Sequence, residues 1–423
     1  MRKASLAGLI MFFMLLPWGT AWAGPAASSL VTLLPPEQAE APVLTRGGFA
    51  VMLVTAAGIK SEARGADLPG DVPDASWYAP ALQALWQEGM IHGYPQGSLR
   101  PEQGITNLEA VILTARVLGL PNEISSPATD LEPGDIPYGF NQYAYFQRQG
   151  LLPPGGPMDL LTPGAAAGWL AEVFSSEPRA RDLMDKCRRA LARQQGIATR
   201  GKASLKIHSR PGLPYTEEID RLAITGEVVN EILLPGQMHQ VTNLELEGPK
   251  NLYIEQFAID GNLYRRVVEE GGQAGDWQQL NLAPDVSILM RQQQNLGLPA
   301  NLYSYLRYHY LGPSRVNDQE VLGISFYTRL HTATPVTQLL PPTPLGEGIA
   351  AYLDPSEKLI RSFSYWGLIY LNPQTFLPVR SVINLVMAFA PAYRGQPAPL
   401  TAMELCYQVD SYTYQGIKIN LPF

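Results

Sequence analysis

The sequence predicts an α+β multidomain protein, with an all-α N-terminal part and a C-terminal part built on a curved antiparallel β-sheet. Helical spacing of apolar residues recurs in related segments up to about residue 175. From Lys202 onward the chain is instead rich in alternating, β-branched and aromatic stretches. A length of 423 residues is too great for one ordinary domain, so two or three domains are expected.

The N-terminus has the organisation of a secretory signal peptide over residues 1–23. Arg2 and Lys3 precede the apolar run LAGLIMFFMLL, and Ala21-Trp22-Ala23 then forms a small-x-small cleavage site. The run is too short to span a bilayer comfortably. We therefore expect an exported protein that is not transmembrane after cleavage. Residues 24–43, rich in Ala, Pro and Ser, are interpreted as a linker or as a degraded first half-repeat.

The clearest helical pattern lies between Asp71 and Leu120. Apolar residues at helical spacing predict a first helix after Asp71 or Asp74, either of which is suited to cap it. A turn-rich loop containing Gly93, Pro95 and Gly97 follows. Thr106 and Glu109 then form the spacing of a capping box, which predicts the start of a second helix.

Internal repetition extends this pattern. The stretches beginning at Leu44, Ile105 and Leu161 align as LTRGGFAVMLVTAAGI, ITNLEAVILTARVLGL and LTPGAAAGWLAEVF. A leading helix at 135–152 also echoes the one after Asp71. About three repeats, over 44–175, are therefore expected to share one core.

The segment 177–195 predicts a basic amphipathic helix that leads into the β-rich domain, 176–423. One interpretation is a helix for a lipid surface or an anionic polymer. The favoured one is an ordinary helix whose short apolar stripe packs on the sheet. Asp260-Gly261-Asn262 predicts a hairpin turn, and helical interruptions are expected at about 285–297 and 346–359.

The repeated helical segments resemble the S-layer homology (SLH) family. The resemblance implies a three-pronged helical spindle that holds exported proteins on cell-wall polysaccharide, often through pyruvylated sugars. The family's basic residue, third in the motif that starts the second helix, is kept at Arg46 but replaced by Asn107 and Pro163 in the other copies. The polysaccharide-binding residues that this resemblance suggests are Arg46, Asp71, Trp77, Gly93, Tyr94, Gly97 and Arg100. The alternative is that Trp77 belongs to the core, Arg100 is a solvated loop charge, and the module is a spacer.

A second resemblance covers about 180–423. The hairpin Gly261–Trp277, the segment YLNPQTFLPVRSVINL at 370–385 and the closing YQGIKINLP at 414–422 look like the lipoprotein-carrier (LolA-like) half-barrels of bacterial envelopes. The resemblance implies an open half-barrel with covering helices. A lipid or another apolar ligand on its concave face is the partner that such a fold suggests.

Sequence features of catalysis, metal binding or nucleic-acid binding are lacking. The five histidines, at 92, 208, 239, 309 and 331, show no metal-binding spacing, and no phosphate loop or dinucleotide motif is present. The net charge of −7 argues against nucleic acid, which requires a clustered positive field. We expect a non-enzymatic protein without a cofactor or metal.

The chain has two cysteines, Cys187 and Cys406. Outside the cell they could form a disulfide between a helix and a late strand, or remain as buried thiols, and the sequence leaves both open. Together these features predict a secreted protein of the cell surface, held non-covalently on wall polysaccharide, with a β-rich binding or structural domain. The alternative is an envelope carrier or sensor of an apolar ligand, in which the helical part is only a spacer.

Overall fold

The computed structural model describes residues 26–59, 68–87, 89–120, 134, 136–209, 224–246, 251–259, 262–269, 275–280, 306–330, 360–389, 392–393, 396–397 and 400–420. The chain divides into two compact units. The helical unit consists of Trp22–Pro178 with Arg307–Leu311, and the sheet unit contains Arg179–Leu306 and Gly312–Phe423. The predicted signal peptide lies outside the described residues.

Seven helices within the described residues form the helical unit. They are α1 (Ala27–Val31), α2 (Pro36–Ala39), α3 (Arg46–Ala57), α4 (Ala79–Gln87), α5 (Asn107–Leu118), α6 (Phe140–Arg148) and α7 (Pro163–Val173). Each helix that opens a repeated motif has a threonine N-cap: Thr45, Thr106 and Thr162 accept a hydrogen bond from the backbone three residues on. The predicted capping box of Thr106 and Glu109 is present in full.

One prediction in this unit is wrong. The first helix of the central motif begins only at Ala79. Neither Asp71 nor Asp74 caps it, because the chain first passes through turns up to Tyr78. Residues 26–43, part of the segment interpreted as a linker or a degraded first half-repeat, contain helices α1 and α2, and Leu30 is completely buried.

The three related segments meet at a ring of backbone hydrogen bonds. The Leu44 N–H donates to the Leu161 carbonyl (2.7 Å), the Ile105 N–H to the Leu44 carbonyl (3.0 Å), and the Leu161 N–H to the Ile105 carbonyl (3.0 Å). All three side chains are at most 1% exposed. Each residue directly precedes a threonine cap, so the ring brings the starts of α3, α5 and α7 together.

The sheet unit begins with helix α8 (Pro178–Leu191), which agrees with the predicted leading helix. Its apolar stripe is buried, as the favoured interpretation expected, and consists of Ala180, Leu183, Met184, Cys187 and Leu191. Arginines occupy its last turn, where they complement the partial negative charge of a helix C-terminus.

An open antiparallel sheet of eleven strands follows, in the order β6-β5-β4-β3-β2-β1-β13-β10-β9-β8-β7. The strands are β1 (Gly196–Ser209), β2 (Ile224–Leu233), β3 (Gln237–Leu246), β4 (Asn251–Ile259), β5 (Asn262–Glu269), β6 (Gln278–Leu280), β7 (Arg307–Val316), β8 (Gln319–Leu330), β9 (Ile360–Leu371), β10 (Pro378–Phe389) and β13 (Leu400–Thr413), with the short pair β11 (Ala392–Tyr393) and β12 (Gln396–Pro397) apart from it. The antiparallel sheet confirms the fold class expected for this half of the chain. Ile259 pairs with Asn262, which fits the predicted hairpin, although residues 260–261 and both predicted helical interruptions lie outside the described residues.

One face of the sheet is apolar near its middle. The strands β1, β2, β3, β4, β10 and β13 each contribute one residue to a buried apolar cluster. Its members are Leu205, Ile224, Leu244, Ile254, Met387 and Met403. None of them is more than 6% exposed. Within the described residues this cluster forms a packed core.

The two cysteines are free thiols, so the disulfide interpretation is wrong for this structure. Cys187 lies near Tyr412, whose pKa is raised chiefly by burial and also by this thiol. Tyr407 is also close to Tyr412, and Cys406 points to the opposite side of β13 from Tyr407. The two sulfur atoms therefore lie on different faces of the sheet.

Among the residues that the structure describes, no helix combines the length and hydropathy needed to cross a membrane.

Candidate functional site

The helical unit contains a cavity of about 720 Å³. It lies between α5, the segment that leads into α6, the loop at Gly93–Pro95 and the first residue of α3. Its lining mixes charged and aromatic side chains, including Arg46, Tyr94, Glu109, Arg116, Tyr138 and Gln142. A cavity of this size, with a few polar groups among apolar ones, is typical of a ligand site.

The Glu109 carboxylate joins three segments of chain at the edge of this cavity. One oxygen accepts a hydrogen bond from the Tyr94 hydroxyl (2.7 Å) and forms an ion pair with Nη1 of Arg46, which lies 2.7 Å away. The other accepts from the Thr106 backbone N–H (3.1 Å) and so completes the capping box. The Arg46 and Glu109 side chains are only 14% and 15% exposed, so their charges compensate each other away from bulk water.

Arg46 also fixes the loop that precedes α5. Its Nε donates to the Leu99 carbonyl at 3.1 Å. The Asp71 carboxylate holds the same loop from the other direction, by accepting the Leu99 and Arg100 backbone N–H groups at 2.7 to 3.1 Å. Because Arg100 has a φ of 50°, which is unusual for a residue with a side chain, this support stabilises a strained turn.

The ring of Tyr94 is in contact with two arginine guanidinium groups. The Arg46 guanidinium carbon is 4.9 Å from the centre of its ring, and that of Arg100 is 4.1 Å away. Arg100 is further held by Gln96, whose side-chain oxygen accepts from it at 3.0 Å. Burial, and then the hydrogen bond to Glu109, raises the pKa of the Tyr94 hydroxyl, which keeps it protonated as a donor.

Tyr138 is the exposed aromatic residue of the cavity. Its side chain is 49% exposed, and its pKa is raised by burial and by the charge of Glu109, which shows that it lies near the central carboxylate. Gly139 makes this placement feasible. It has a φ of +68°, and a Cβ there would lie 2.3 Å from Ile112 on α5.

Arg116 on α5 lines another part of the cavity. It donates to the Met90 carbonyl at 3.4 Å, and burial lowers the pKa of its guanidinium. The pKa of His92 nearby is lowered by burial and then by the charge of Arg116, so the imidazole is neutral at neutral pH.

The positions equivalent to Arg46 in the other two motifs lack its charge but differ in what they do. Asn107 is 1% exposed and donates to the Pro154 and Gly156 carbonyls at 2.8 and 2.9 Å, so it fixes the loop before α7 as Arg46 fixes the loop before α5. Pro163 occupies the first turn of α7, where a missing N–H is tolerated.

The structure brings only some of the predicted binding residues together. Arg46, Gly93 and Tyr94 line the cavity, and Arg100 stacks on Tyr94 from outside it. Asp71 is a support of the loop, and Gly97 forms its tip with a φ of +76°. Trp77 is 38% exposed, packs edge-on against Tyr78, and is not among the residues around the cavity.

Sequence reasoning missed Tyr138 and Arg116, and it used Glu109 only as a cap. The capping-box spacing was sufficient to find Glu109 but not its contacts with Arg46 and Tyr94, which are distant in sequence. For Tyr138, the Tyr-Gly pair just before a helical pattern was a usable signal of an exposed aromatic turn.

The sheet unit has a polar cluster of a different kind, centred on His239. Its ring nitrogens lie 2.9 Å from a Glu231 oxygen and 3.1 Å from a Glu255 oxygen, and Arg266 donates to the other Glu255 oxygen at 2.6 Å. Phe257 stacks on His239 at 4.2 Å between ring centres. Burial raises the pKa of Glu255, but the hydrogen bonds from Arg266 and His239 outweigh it, so the net shift is downward.

No group of three or more His, Cys, Asp or Glu side chains in the described part of the chain is arranged to hold a metal ion.

Residues 70–111 match the family model of the S-layer homology domain. This chain carries an S-layer homology domain. The match covers α4, the Gly93–Arg100 loop and the first part of α5, and therefore includes Tyr94 and Glu109. The resemblance that the motifs suggested is thus confirmed for the central repeat.

Curated relatives share this region. The Middle cell wall protein of Brevibacillus brevis is 30% identical over 99 residues, which is 21% of this chain and 9% of that protein. The Outer membrane protein SlpA of Deinococcus radiodurans is 40% identical over 58 residues, 14% of this chain and 5% of that protein. The chain thus spans less than a tenth of each relative. The domain and these relatives confirm the predicted location, that of an exported protein of the cell surface.

Solved structures with some likeness include LprF from Mycobacterium bovis, at 12% identity and a TM-score of 0.32, covering 59% of this chain and 98% of that one. MucB has 12% identity and a TM-score of 0.22, and covers 58% and 62% of the two chains. TM-scores this low add nothing to the description of the sheet or to its function.

Proposed function

We propose that the protein is held non-covalently on cell-wall polysaccharide by its helical unit and presents the sheet unit as a binding or structural domain. The observation that carries this proposal is the cavity around Arg46, Tyr94, Glu109 and Tyr138. Saccharides bind in clefts that combine an aromatic ring with fixed hydrogen-bonding groups, and this cavity offers both. Two of these residues, Tyr94 and Glu109, fall within the S-layer homology match.

The helical unit is interpreted as three repeats around one axis. The ring formed by Leu44, Ile105 and Leu161 supports this view, since one backbone hydrogen bond of each segment is repeated in the next. In such an arrangement the cavity lies between the second and third repeats, which contribute α5 and the start of α6. Arg46 reaches it from the first repeat. A complete site therefore requires all three repeats.

An acidic saccharide, such as a pyruvylated one, is the ligand class that we propose. The described residues that line the cavity include Arg46 and Arg116 beside Glu109, and guanidinium groups are suited to bind carboxylates. We also propose a binding rather than a catalytic role for the whole chain.

Cosedimentation with purified cell-wall sacculi tests this proposal. The full chain is expected to pellet with native sacculi and to remain in solution with sacculi whose secondary polysaccharide has been removed by hydrofluoric acid. Soluble polysaccharide released from the same sacculi should compete. If the chain stays in the supernatant with native sacculi, or pellets equally with stripped ones, the proposal fails.

The second candidate function is a carrier or sensor of an apolar ligand in the envelope, with the helical unit as a spacer. The open antiparallel sheet favours it, because apolar side chains such as Leu205, Ile254 and Met403 share one of its faces, and a ligand with acyl chains would extend the core that they form. Native mass spectrometry of protein purified from cells would then show an added lipid mass. A mass equal to that of the chain alone would exclude this function.

A further inference from the structure

A row of polar side chains crosses one face of the sheet between two largely apolar rows. The strands β1 to β6 each place one residue in it, and each is the direct register partner of the next: Thr199, Asn230, Gln240, Gln256, Arg265 and Gln278. The row on one side of it, on the same face, consists of Ile197, Ile232, Met238, Ala258 and Leu263. The row on its other side consists of Gly201, Val228, Thr242, Ile254 and Val267.

Hydrogen bonds link the polar row from β5 as far as Tyr407 on β13. Nε and Nη2 of Arg265 donate to the Gln256 side-chain oxygen at 3.3 and 3.2 Å. Gln256 donates to Gln240 at 3.3 Å, and Gln240 to Asn230 at 2.6 Å. Asn230 then donates to the Tyr407 hydroxyl at 3.1 Å. Because a guanidinium only donates, the amide next to it must present its oxygen, and every amide of the row therefore turns its oxygen toward Arg265.

Arg265 is a cation without a counter-ion among the residues that the structure describes. Both of its hydrogen bonds go to one neutral oxygen, that of Gln256. Its side chain is partly buried, and burial lowers the pKa of the guanidinium. The next residue, Arg266, is on the opposite face and binds the Glu255 carboxylate instead. A partly buried cation gains more from an anion than a solvated one does, because the local dielectric is lower.

Exposed apolar surface lies beside this cation. Val267, two residues further along β5 and so on the same face, is 41% exposed. Its register partner Ile254 belongs to the buried apolar cluster of the sheet. A hydrocarbon chain on Val267 would extend that cluster, while an acidic group at its end would reach Arg265, about 7 Å away along the strand. An acidic amphiphile combines these two parts.

We infer that Arg265 binds the carboxylate or phosphate head of an acidic amphiphile whose hydrocarbon chain packs on Val267. The row of amides holds the guanidinium in place, and the ligand supplies the anion that the described residues do not. This inference rests on the second candidate function, the carrier or sensor of an apolar ligand, and adds the charge of that ligand. Wall attachment by the helical unit does not depend on it.

Isothermal titration calorimetry of the full chain tests the inference with decanoate, decyl phosphate and decanol, which share one chain length. Wild type is expected to bind the two acidic compounds about tenfold more tightly than decanol, the gain that one charge-assisted contact gives. Inorganic phosphate, which has the charge but no hydrocarbon chain, should give no measurable binding.

Substitutions on the two faces of the sheet then separate the charge from the apolar contact. Arg265→Gln should bind all three compounds equally, at the level of wild type with decanol. Arg265→Lys keeps the charge but loses the paired geometry, so it should retain part of the preference. Val267→Ser should weaken all three by a similar factor and leave the preference unchanged. Arg200→Gln, which removes an exposed arginine from the opposite face of β1, is the matched control and should behave as wild type.

The outcomes distinguish the inference from the function on which it rests. If wild type binds none of the three compounds, the second candidate function and this inference both fail. If wild type binds decanol as tightly as the acidic compounds, or if Arg265→Gln keeps the preference, an apolar ligand stands and the role of Arg265 is wrong. Inorganic phosphate bound as tightly as decyl phosphate would overturn the amphiphile. Circular dichroism identifies any variant that fails to fold, and Arg265→Lys then carries the comparison.

Discussion

Each unit of this protein contains a poorly exposed glutamate bonded to an arginine and a second side chain. Glu109 in the helical unit binds Arg46 and Tyr94, and Glu255 in the sheet unit binds Arg266 and His239. The contacts of Glu109 come from residues on three separate segments. Those of Glu255 come from neighbouring strands, and Arg266 is its direct partner in the β4–β5 register.

The difference shows that a buried charge pair does not by itself mark a binding site. The Glu255 contacts cross neighbouring rungs of a ladder, so they stabilise strand pairing. The Glu109 contacts join residues far apart in the chain, Arg46 and Tyr94, at the edge of a cavity that also has an exposed tyrosine. The cavity and the aromatic ring, rather than the ion pair, distinguish the candidate site from the His239 cluster.

The largest effect is expected from Glu109→Gln, which removes one partner of a buried ion pair. Arg46 would remain in place without its counter-charge, so the helical unit should lose about 3 kcal/mol of unfolding free energy. Urea denaturation followed by far-ultraviolet circular dichroism measures it. Glu172→Gln, which changes an exposed carboxylate on α7, is the matched control and should shift stability by less than about 0.5 kcal/mol. Equal effects of the two substitutions would show that the Glu109 ion pair does not stabilise the helical unit.

Glu255→Gln should lower the unfolding free energy of the sheet unit by less, about 2 kcal/mol at neutral pH. It weakens hydrogen bonds from charged donors but leaves the backbone pairing of the strands intact. The folded-state pKa of Glu255 is lowered, so its contribution is present above the unfolded value of about 4.3 and is lost as the pH falls through the folded value. Variant and wild type should therefore converge in acid.

Denaturation at a series of pH values measures this convergence. Glu227→Gln, an exposed carboxylate on β2, is the control and should follow wild type at every pH. A stability difference for Glu255→Gln that is constant down to strongly acidic pH would contradict the assigned role of the ion pair.

Tyr138→Ala is expected to weaken binding to sacculi about fivefold, because an exposed ring that stacks on a sugar contributes about 1 kcal/mol. Its thermal stability should change little, since the side chain is half exposed. Tyr138→Phe should retain binding. In the sheet unit, Trp277→Ala removes an aromatic ring that packs on Phe257, and this control should leave wall binding unchanged. A similar loss for both alanine variants would remove the distinction between the two units.

The smallest effect is expected from Trp77→Ala. The resemblance suggested Trp77 as a ligand contact, but the structure places it against Tyr78 and away from the residues around the cavity. Binding to sacculi should therefore stay within twofold of wild type. A loss as large as that of Tyr138→Ala would show that the saccharide extends along a second surface past Trp77.

Much of the fold could be predicted from local pattern. The threonine caps at 45, 106 and 162 begin helices where the aligned motifs indicated, because capping depends on residues three positions apart. The start of α4 could not be found in this way. Asp71 has the chemistry of a cap, yet its carboxylate binds the backbone of Leu99 and Arg100, 28 and 29 residues later.

The candidate site was predicted only in part for the same reason. Arg46, Gly93 and Tyr94 belong to short motifs and were found, whereas Tyr138 and Arg116 have no motif of their own and reach the cavity through packing of α5 and α6. The cysteines show the same limit. Their number was evident from the sequence. That their sulfur atoms lie on different faces of the sheet follows only from the alternation of side chains on β13 and from the position of α8.

The sequence by itself determined the two-part organisation, the repeated capped helices, the antiparallel strands and the predicted export, because each depends on residues close together in the chain. The tertiary structure decided which charges pair. It places Arg46, a predicted ligand contact, in an ion pair with Glu109 at the edge of the cavity. Such pairing depends on distances between segments about 60 residues apart, which local pattern does not specify.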